Sequence, residues 1–248
     1  MDCQKEVENR ITFIRDILAD AKADGIVLGL SGGKDSSLVA ILCKKACENT
    51  IGLIMPCESS VNYGQDMEDA LALAKQFNIE THTIDLTAAK KALVGDIEKE
   101  FPLEIEANSN INPRLRMTTL YAVARQKNLI VAGTGNACES YVGYFTKWGD
   151  GASDFNPIGD LYVSEVYELL KYLDCPQSII EKAPSAGLKE GQTDEKELGL
   201  TYKQIEYYLK YGRSALDKGA TKSVDAKHQA ALHKLNPIPV YSREKYEK

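Results

Sequence analysis

The sequence predicts an α/β fold: a doubly wound parallel sheet with helices on both faces and a helical C-terminal portion. Three observations predict it. Short apolar runs alternate with helix-length segments between Ile26 and Ala132. A glycine- and hydroxyl-rich turn, "LSGGKDS", joins the first run to the first buried helix. From Asp160 onward the pattern is mostly helical. Strands separated by helices are joined by crossovers, which makes the sheet parallel and places helices on both of its faces. The composition is that of a globular chain: 248 residues, 44% apolar and 27% charged.

Taken in order, the N-terminus "MDCQKEVENRITFIRDILAD" is charged and helix-periodic, without the apolar centre of a signal peptide. Ile26–Leu30 reads as the first strand, and Ser36–Ala46 as a helix apolar almost all round its first two turns. Ile51–Met55 reads as a second strand stopped by Pro56, and Gln65–Phe77 as an amphipathic helix. Glu80–Leu86 alternates with period two, a third strand, and a polar stretch follows it. Asn112 as cap and Pro113 in the first turn open a helix to about Gln126. Leu129–Ala132 is the fourth strand. Later helices are expected at Leu161–Leu173, Tyr202–Tyr211 and Val224–Leu235, with a mobile flap at about 182–192. We expect one domain over 1–248, with its α/β core at 24–160 and its helical portion at 161–248.

The net charge of −6 and pI near 5.3 argue against a nucleic-acid substrate, which calls for a basic face. They do not argue against a small anion in a local basic pocket. No run reaches the ~20 apolar residues that span a bilayer, so the chain reads as cytoplasmic, with no membrane partner. The six cysteines include no C-x-x-C pair and read as free thiols, although Cys43 and Cys47 lie one helical turn apart.

"LSGGKDS" has the look of a phosphate loop, but two familiar patterns fail. In G-x-x-x-x-G-K-[ST] the first glycine falls on Leu28, and Asp35 follows Lys34. In G-x-G-x-x-G, Ser31 occupies the second glycine position. What remains is strand, S-G-G-K-D-S, helix. Gly32 and Gly33 let backbone N–H groups approach an anion, and Ser36 sits at a helix N-terminus, where the dipole favours negative charge. Asp35 repels a phosphate unless a cation intervenes, and Mg2+ is the natural one. After the fourth strand comes "GTGNACES", with Thr134, Asn136 and Glu139. If strands one and four are neighbours, Glu139 is a second carboxylate for that Mg2+. "GYFTKWGDGASDFNP" contributes the polar candidates Lys147 and Asp154. Arg114 lies in the first turn of its helix. Arg116, two positions on, points elsewhere and is expected to make a structural ion pair.

The S-G-G-x-D-S loop resembles the pyrophosphate-binding loop of adenylating ATPases. The ordered set "LSGGKDS", "PRLRM", "GTGNACES", "GYFTKWGDGASDFNP", "EKAPSAGL", "GQTDEKELG" and late "HK" resembles the ammonia-dependent NAD synthetases, from Gly25 to about Lys234. The resemblance implies a Rossmann-like adenine-nucleotide alpha-hydrolase sheet with strand order 3-2-1-4-5. It implies a ligase that amidates deamido-NAD with free ammonia through an acyl-adenylate, releasing AMP and pyrophosphate. It implies ATP contacts at Gly29, Leu30, Ser31, Gly32, Gly33, Lys34, Asp35, Ser36, Thr134 and Ser185. Mg2+ would be held by Asp35 and Glu139, and deamido-NAD by Arg114, Lys147, Asp154, His233 and Lys234. Asp35, Glu139 and Lys147 are the candidate catalytic residues, and a homodimer is implied, with the substrate site near its interface.

One position departs from the resemblance. After "NPIGDLY" the family has a lysine that contacts ATP, and here it is Val163; Lys34, Lys171 and Lys182 are the candidates to replace it. No amidase-sized segment is recognised, so ammonia or a partner chain is expected to supply the nitrogen. Another adenylating ATPase, GMP synthetase-like or tRNA-modifying, and a non-catalytic ATP-binding protein of the same fold remain alternatives.

Overall fold

Four parallel strands, β1 (Gly25–Gly29), β2 (Thr50–Ile54), β3 (Glu80–Thr83) and β4 (Leu129–Val131), form one sheet in the order β3-β2-β1-β4. The computed structural model describes residues 1–58, 64–182 and 193–243. Around the sheet lie α1 (Cys3–Ala21), α2 (Lys34–Ala46), α3 (Gln65–Phe77), α4 (Thr87–Ile97), α5 (Ile105–Ser109) and α6 (Ile111–Lys127). Then follow α7 (Ala137–Val142), α8 (Val163–Tyr172), α9 (Gln177–Glu181), α10 (Asp194–Leu198), α11 (Tyr202–Tyr211) and α12 (Lys218–Leu235).

β1 explains the layering. Ile26, Leu28 and Leu30 face a cluster with Leu38–Cys43 of α2, Ile14 of α1 and Leu169 of α8. Val27 faces the opposite cluster, with Leu53, Val131 and Ala124, against Leu120 and Tyr121 of α6. A strand buried on both faces needs a helix layer on each side, which the doubly wound fold supplies. A third cluster joins α7 and α8 to α11 and α12 through Val142, Val163, Ile205, Tyr208 and Val224. Among the described residues, no helix is long and apolar enough to cross a membrane.

The fifth strand is reduced to one parallel bridge, Ala132 with Phe155. Asp154 donates its N–H to the Val131 carbonyl (2.9 Å), and Gly133 donates to the Phe155 carbonyl (2.7 Å). The Asp154 carboxylate accepts from Val131 N at 2.8 Å, taking a donor that a continued strand would have bonded. Pro157, two residues on, has no N–H with which to extend the ladder. The helix expected to open at Asn112 begins at Ile111 instead, so Asn112 and Pro113 fall within its first turn. The polar stretch after β3 contains α4, in which Lys90 alone is buried.

Candidate active site

The winding reverses between β1 and β4, which are direct neighbours. Ligands of open α/β sheets bind at the carboxyl ends of the strands, at such a reversal. The 30–36 loop leaves β1 there, and the 132–136 segment leaves β4. Gly32 makes the first of these possible. Its φ is +76°, and a Cβ would lie 2.1 Å from the Asp66 carbonyl oxygen. Ser31 and Ser36 brace the turn: their hydroxyls are 2.9 Å apart, Ser36 Oγ donates to the Gly33 carbonyl, and Gly33 N donates to Ser31 Oγ. Gly33 is the N-cap of α2 and supplies no side-chain cap. The first N–H groups of a helix have no intrahelical acceptor, so this uncapped start is suited to an anion.

Across the reversal, Asn136 aligns both carboxylates. Its Nδ2 donates to Asp35 Oδ1 (3.1 Å), and its backbone N donates to Glu139 Oε2 (3.0 Å) within a capping box that starts α7. The expected convergence of the two motifs is therefore present. Between the carboxylates sits the Lys34 ammonium, 2.6 Å from Asp35 Oδ2 and 3.9 Å from Glu139 Oε1. It also lies 5.3 Å from the centre of the Tyr202 ring. Burial pushes the Lys34 pKa down, but the charges of Asp35 and Glu139 and the Asp35 hydrogen bond outweigh it, for a net rise. Burial and the Asp35 charge push Glu139 up, against the pull of Lys34. Behind Glu139, Tyr202 donates to Asp194 Oδ2 (2.8 Å) and reaches Glu139 Oε1 (3.5 Å). Burial and the Glu139 charge raise the Tyr202 hydroxyl, which stays a donor.

Lys34, Asp35, Glu139 and Asp194 line a cavity of about 650 Å³, within the range of small-molecule sites. Gly29, Leu30, Ser31, Gly33, Lys34, Asp35, Ser36, Thr134 and Glu139 all line it. Gly32 shapes the turn without lining the cavity, and Ser185 lies outside the described residues. From α6, the stripe Pro113, Arg116, Met117 and Leu120 faces in. Arg116 thus borders the cavity, with Nε donating to the Met55 carbonyl at 3.0 Å. Arg114, the residue the resemblance implied, is exposed and donates to the Lys147 carbonyl instead (3.3 and 3.4 Å). The two arginines point to different faces, and Arg116 is the one that borders this cavity. The i, i+3, i+4, i+7 spacing of Pro113, Arg116, Met117 and Leu120 was the available signal.

Val163 opens α8 and is buried in the third apolar cluster. Of the cations considered in its place, Lys34 and Lys182 line the cavity, while Lys171 is exposed and does not. Lys182 pairs with Asp66 Oδ1 (2.5 Å) and Asp69 Oδ2 (2.9 Å) and approaches the Gly32 carbonyl at 3.4 Å. The rest of the flap expected at 182–192 lies outside the described residues. At the cavity's edge, Lys147 Nζ donates to the His233 carbonyl (2.5 Å), and Lys234 Nζ donates to the Gly143 and Phe145 carbonyls (2.8 and 2.7 Å). Arg114, Lys147, His233 and Lys234 therefore form one basic cluster, in which Lys234 alone lines the cavity. Asp154 stands apart, used at the sheet edge and by Tyr121, whose hydroxyl donates to it at 3.1 Å.

The chain matches the family model described as NAD synthase over residues 6–244. It is 48% identical over 217 residues to the NH(3)-dependent NAD(+) synthetase of Carboxydothermus hydrogenoformans, covering 86% of this chain and 88% of that one. Among solved structures it is similar to the NMN synthetase of Francisella tularensis, with a TM-score of 0.92 and 40% identity over 97% of this chain and 99% of that chain. It is also similar to the NH3-dependent NAD synthetase of Campylobacter jejuni, with a TM-score of 0.82 and 34% identity over 98% of this chain and 100% of that chain. With its S-G-G-K-D-S loop, its paired carboxylates and a match that runs almost from end to end, the chain belongs to the NAD synthase family.

Proposed function

We propose that the chain amidates the nicotinate carboxylate of deamido-NAD with ammonia, at the expense of ATP. The carboxylate oxygen attacks the α-phosphorus, and the bond to pyrophosphate breaks. Ammonia then attacks the carbonyl of the acyl-adenylate, AMP leaves, and the new amide loses a proton to solvent. Hydroxide is a poor leaving group from a free carboxylate, and AMP is a good one. The observation that carries this reading is the uncapped start of α2 facing the Asp35–Glu139 pair in one cavity.

The protein supplies position and charge rather than a covalent step. The first N–H groups of α2 hold the departing pyrophosphate, with Ser31 and Ser36 keeping the turn in shape. Asp35 and Glu139 fit a divalent cation, because both reach one point beside the loop, marked by the Lys34 ammonium. Bound there, Mg2+ supplies neutralisation of charge on the phosphates. Thr134 and Arg116 border the same space. The Arg114–Lys147–His233–Lys234 cluster offers positive charge to the diphosphate of the second substrate. Exposed Trp148, Leu235, Ile238, Val240 and Tyr241 adjoin this cluster in sequence and support a homodimer in which a second copy covers it. Six free cysteines are in keeping with a cytoplasmic location. The cavity lining draws on both the 24–160 and 161–248 portions, which supports reading them as one domain.

The test is NAD and AMP formation from ATP, Mg2+, deamido-NAD and ammonium, and no NAD under these conditions overturns the reading. The likeness to the Francisella NMN synthetase favours a second reading, in which the acceptor is the nicotinate mononucleotide. Comparing kcat/KM for the two acceptors decides between them: tenfold or more in favour of the mononucleotide, a difference of about 1.4 kcal/mol, would replace deamido-NAD as the substrate.

Arg116→Met is expected to lower kcat/KM for ATP by about tenfold or more, the worth of one charged hydrogen bond. Arg114→Met should leave that ATP constant nearly unchanged. Equal effects of the two substitutions would contradict the placement of Arg116.

A further inference from the structure

Lys34 is out of place by every local rule. It is the first residue of α2, where the helix dipole disfavours a cation. Its side chain is 6% exposed, and an unpaired buried ammonium is costly. Its position is explained by what surrounds it. The ammonium reaches both Asp35 (2.6 Å) and Glu139 (3.9 Å), and the Tyr202 ring lies within cation–π range. Asp194, 3% exposed, stands behind Tyr202 and adds a further negative charge. Tyr144 donates to Glu197 (2.7 Å) and lies 3.2 Å from Asp194 Oδ1, bringing another carboxylate to the same network. Among the described residues, no group of three or more His, Cys, Asp or Glu side chains is arranged to hold a metal ion, so no described side chain of that kind joins the Asp35–Glu139 pair as a third ligand. Two carboxylates complete a Mg2+ shell with phosphate oxygens and water.

We propose that the Lys34 ammonium is the resident cation of the Asp35–Glu139 pair, holding the two carboxylates together before nucleotide arrives, so that a divalent ion enters with ATP and not as a free ion. The inference rests on the ATP reading of the cavity and goes beyond it by naming the order in which charge is supplied. An ammonium so placed offsets the mutual repulsion of the carboxylates. It also weakens their pull on a free divalent ion by like-charge repulsion. Phosphate oxygens bring the missing ligands and the extra negative charge, and so shift the balance toward the metal. Lys34 is a positioning residue in this scheme.

The experiment is a Mn2+ titration of the full chain, read by the electron paramagnetic resonance of free Mn2+, with and without a non-hydrolysable ATP analogue. The unaltered chain is expected to take up Mn2+ only when the analogue is present. Lys34→Met is expected to bind Mn2+ without nucleotide at least about tenfold more tightly than the unaltered chain, the scale of removing one neighbouring unit charge. Its Tm should rise with Mn2+ more than that of the unaltered chain. The double variant Lys34→Met with Asp35→Asn should lose this gain, which assigns the new site to the pair.

Nucleotide-free uptake by the unaltered chain as tight as that of Lys34→Met overturns the role of Lys34 and leaves the ATP reading standing. A Lys34→Met variant that folds but gains no Mn2+ affinity overturns it equally. If that variant folds only in Mn2+, the proposal is supported. If it folds in neither condition, the unaltered chain decides: uptake that needs the analogue supports the proposal, and uptake that does not overturns it. A chain that binds no ATP analogue at all overturns the ATP reading together with this inference.

Discussion

Asp35→Asn is expected to cost at least about 10²–10³-fold in NAD formation while the chain still folds, the scale seen when one preorganised electrostatic group is removed from a reacting centre. The substitution keeps the shape of the side chain and an acceptor for Asn136 Nδ2, which Asp35 Oδ1 now engages at 3.1 Å. It removes the charge that pairs with Lys34 at 2.6 Å and would help hold Mg2+. Lys34 keeps Glu139 as its remaining counter-charge, 3.9 Å away, so the ammonium is not left unpaired. Tm and circular dichroism on the same sample separate lost chemistry from lost structure. Full activity in a folded Asp35→Asn chain would remove Asp35 from the reaction.

Gly32→Ala should act first on stability. A left-handed φ of +76° costs an alanine about 1–2 kcal/mol. The new Cβ would meet the Asp66 carbonyl oxygen at 2.1 Å, so the loop or the start of α3 must move. A loss of about 2 kcal/mol corresponds to a fall in Tm of about 4–8 °C for a chain of this size. Activity should fall further than stability, because the same shift moves the N–H groups at the start of α2. It also disturbs Lys182, which contacts Asp66 and reaches the Gly32 carbonyl. An unchanged Tm would show that the turn relaxes without cost, contrary to this packing.

The convergence of the S-G-G-K-D-S loop and Glu139 was legible because its signals are chemical and local. A carboxylate beside glycines and hydroxyls calls for a partner, and Asn136 brings Glu139 beside Asp35 where β1 and β4 pair. The helices Gln65–Phe77 and Tyr202–Tyr211 were legible to the residue, because each carries a strong apolar stripe. Helix α4 was not, since a surface helix with Lys90 as its one buried residue has almost no stripe to read. Asp154 reads from sequence as a polar residue in a chemistry-rich block, and its carboxylate accepts from Val131 N where the fifth strand ends. Nothing within that block reveals that its neighbour is the edge of β4.

The same division runs through the whole molecule. The alternation of the four strands with their main helices, the composition of the S-G-G-K-D-S loop and the family all follow from the sequence itself, since periodicity and motif spacing are properties of consecutive residues. Tertiary structure alone decided that Val163 is buried among apolar side chains and that Lys34 contacts both Asp35 and Glu139. These depend on side-chain direction and on groups more than a hundred positions apart, as Asp35 and Asn136 are. The chain brings such groups together when β1 and β4 pair in the sheet.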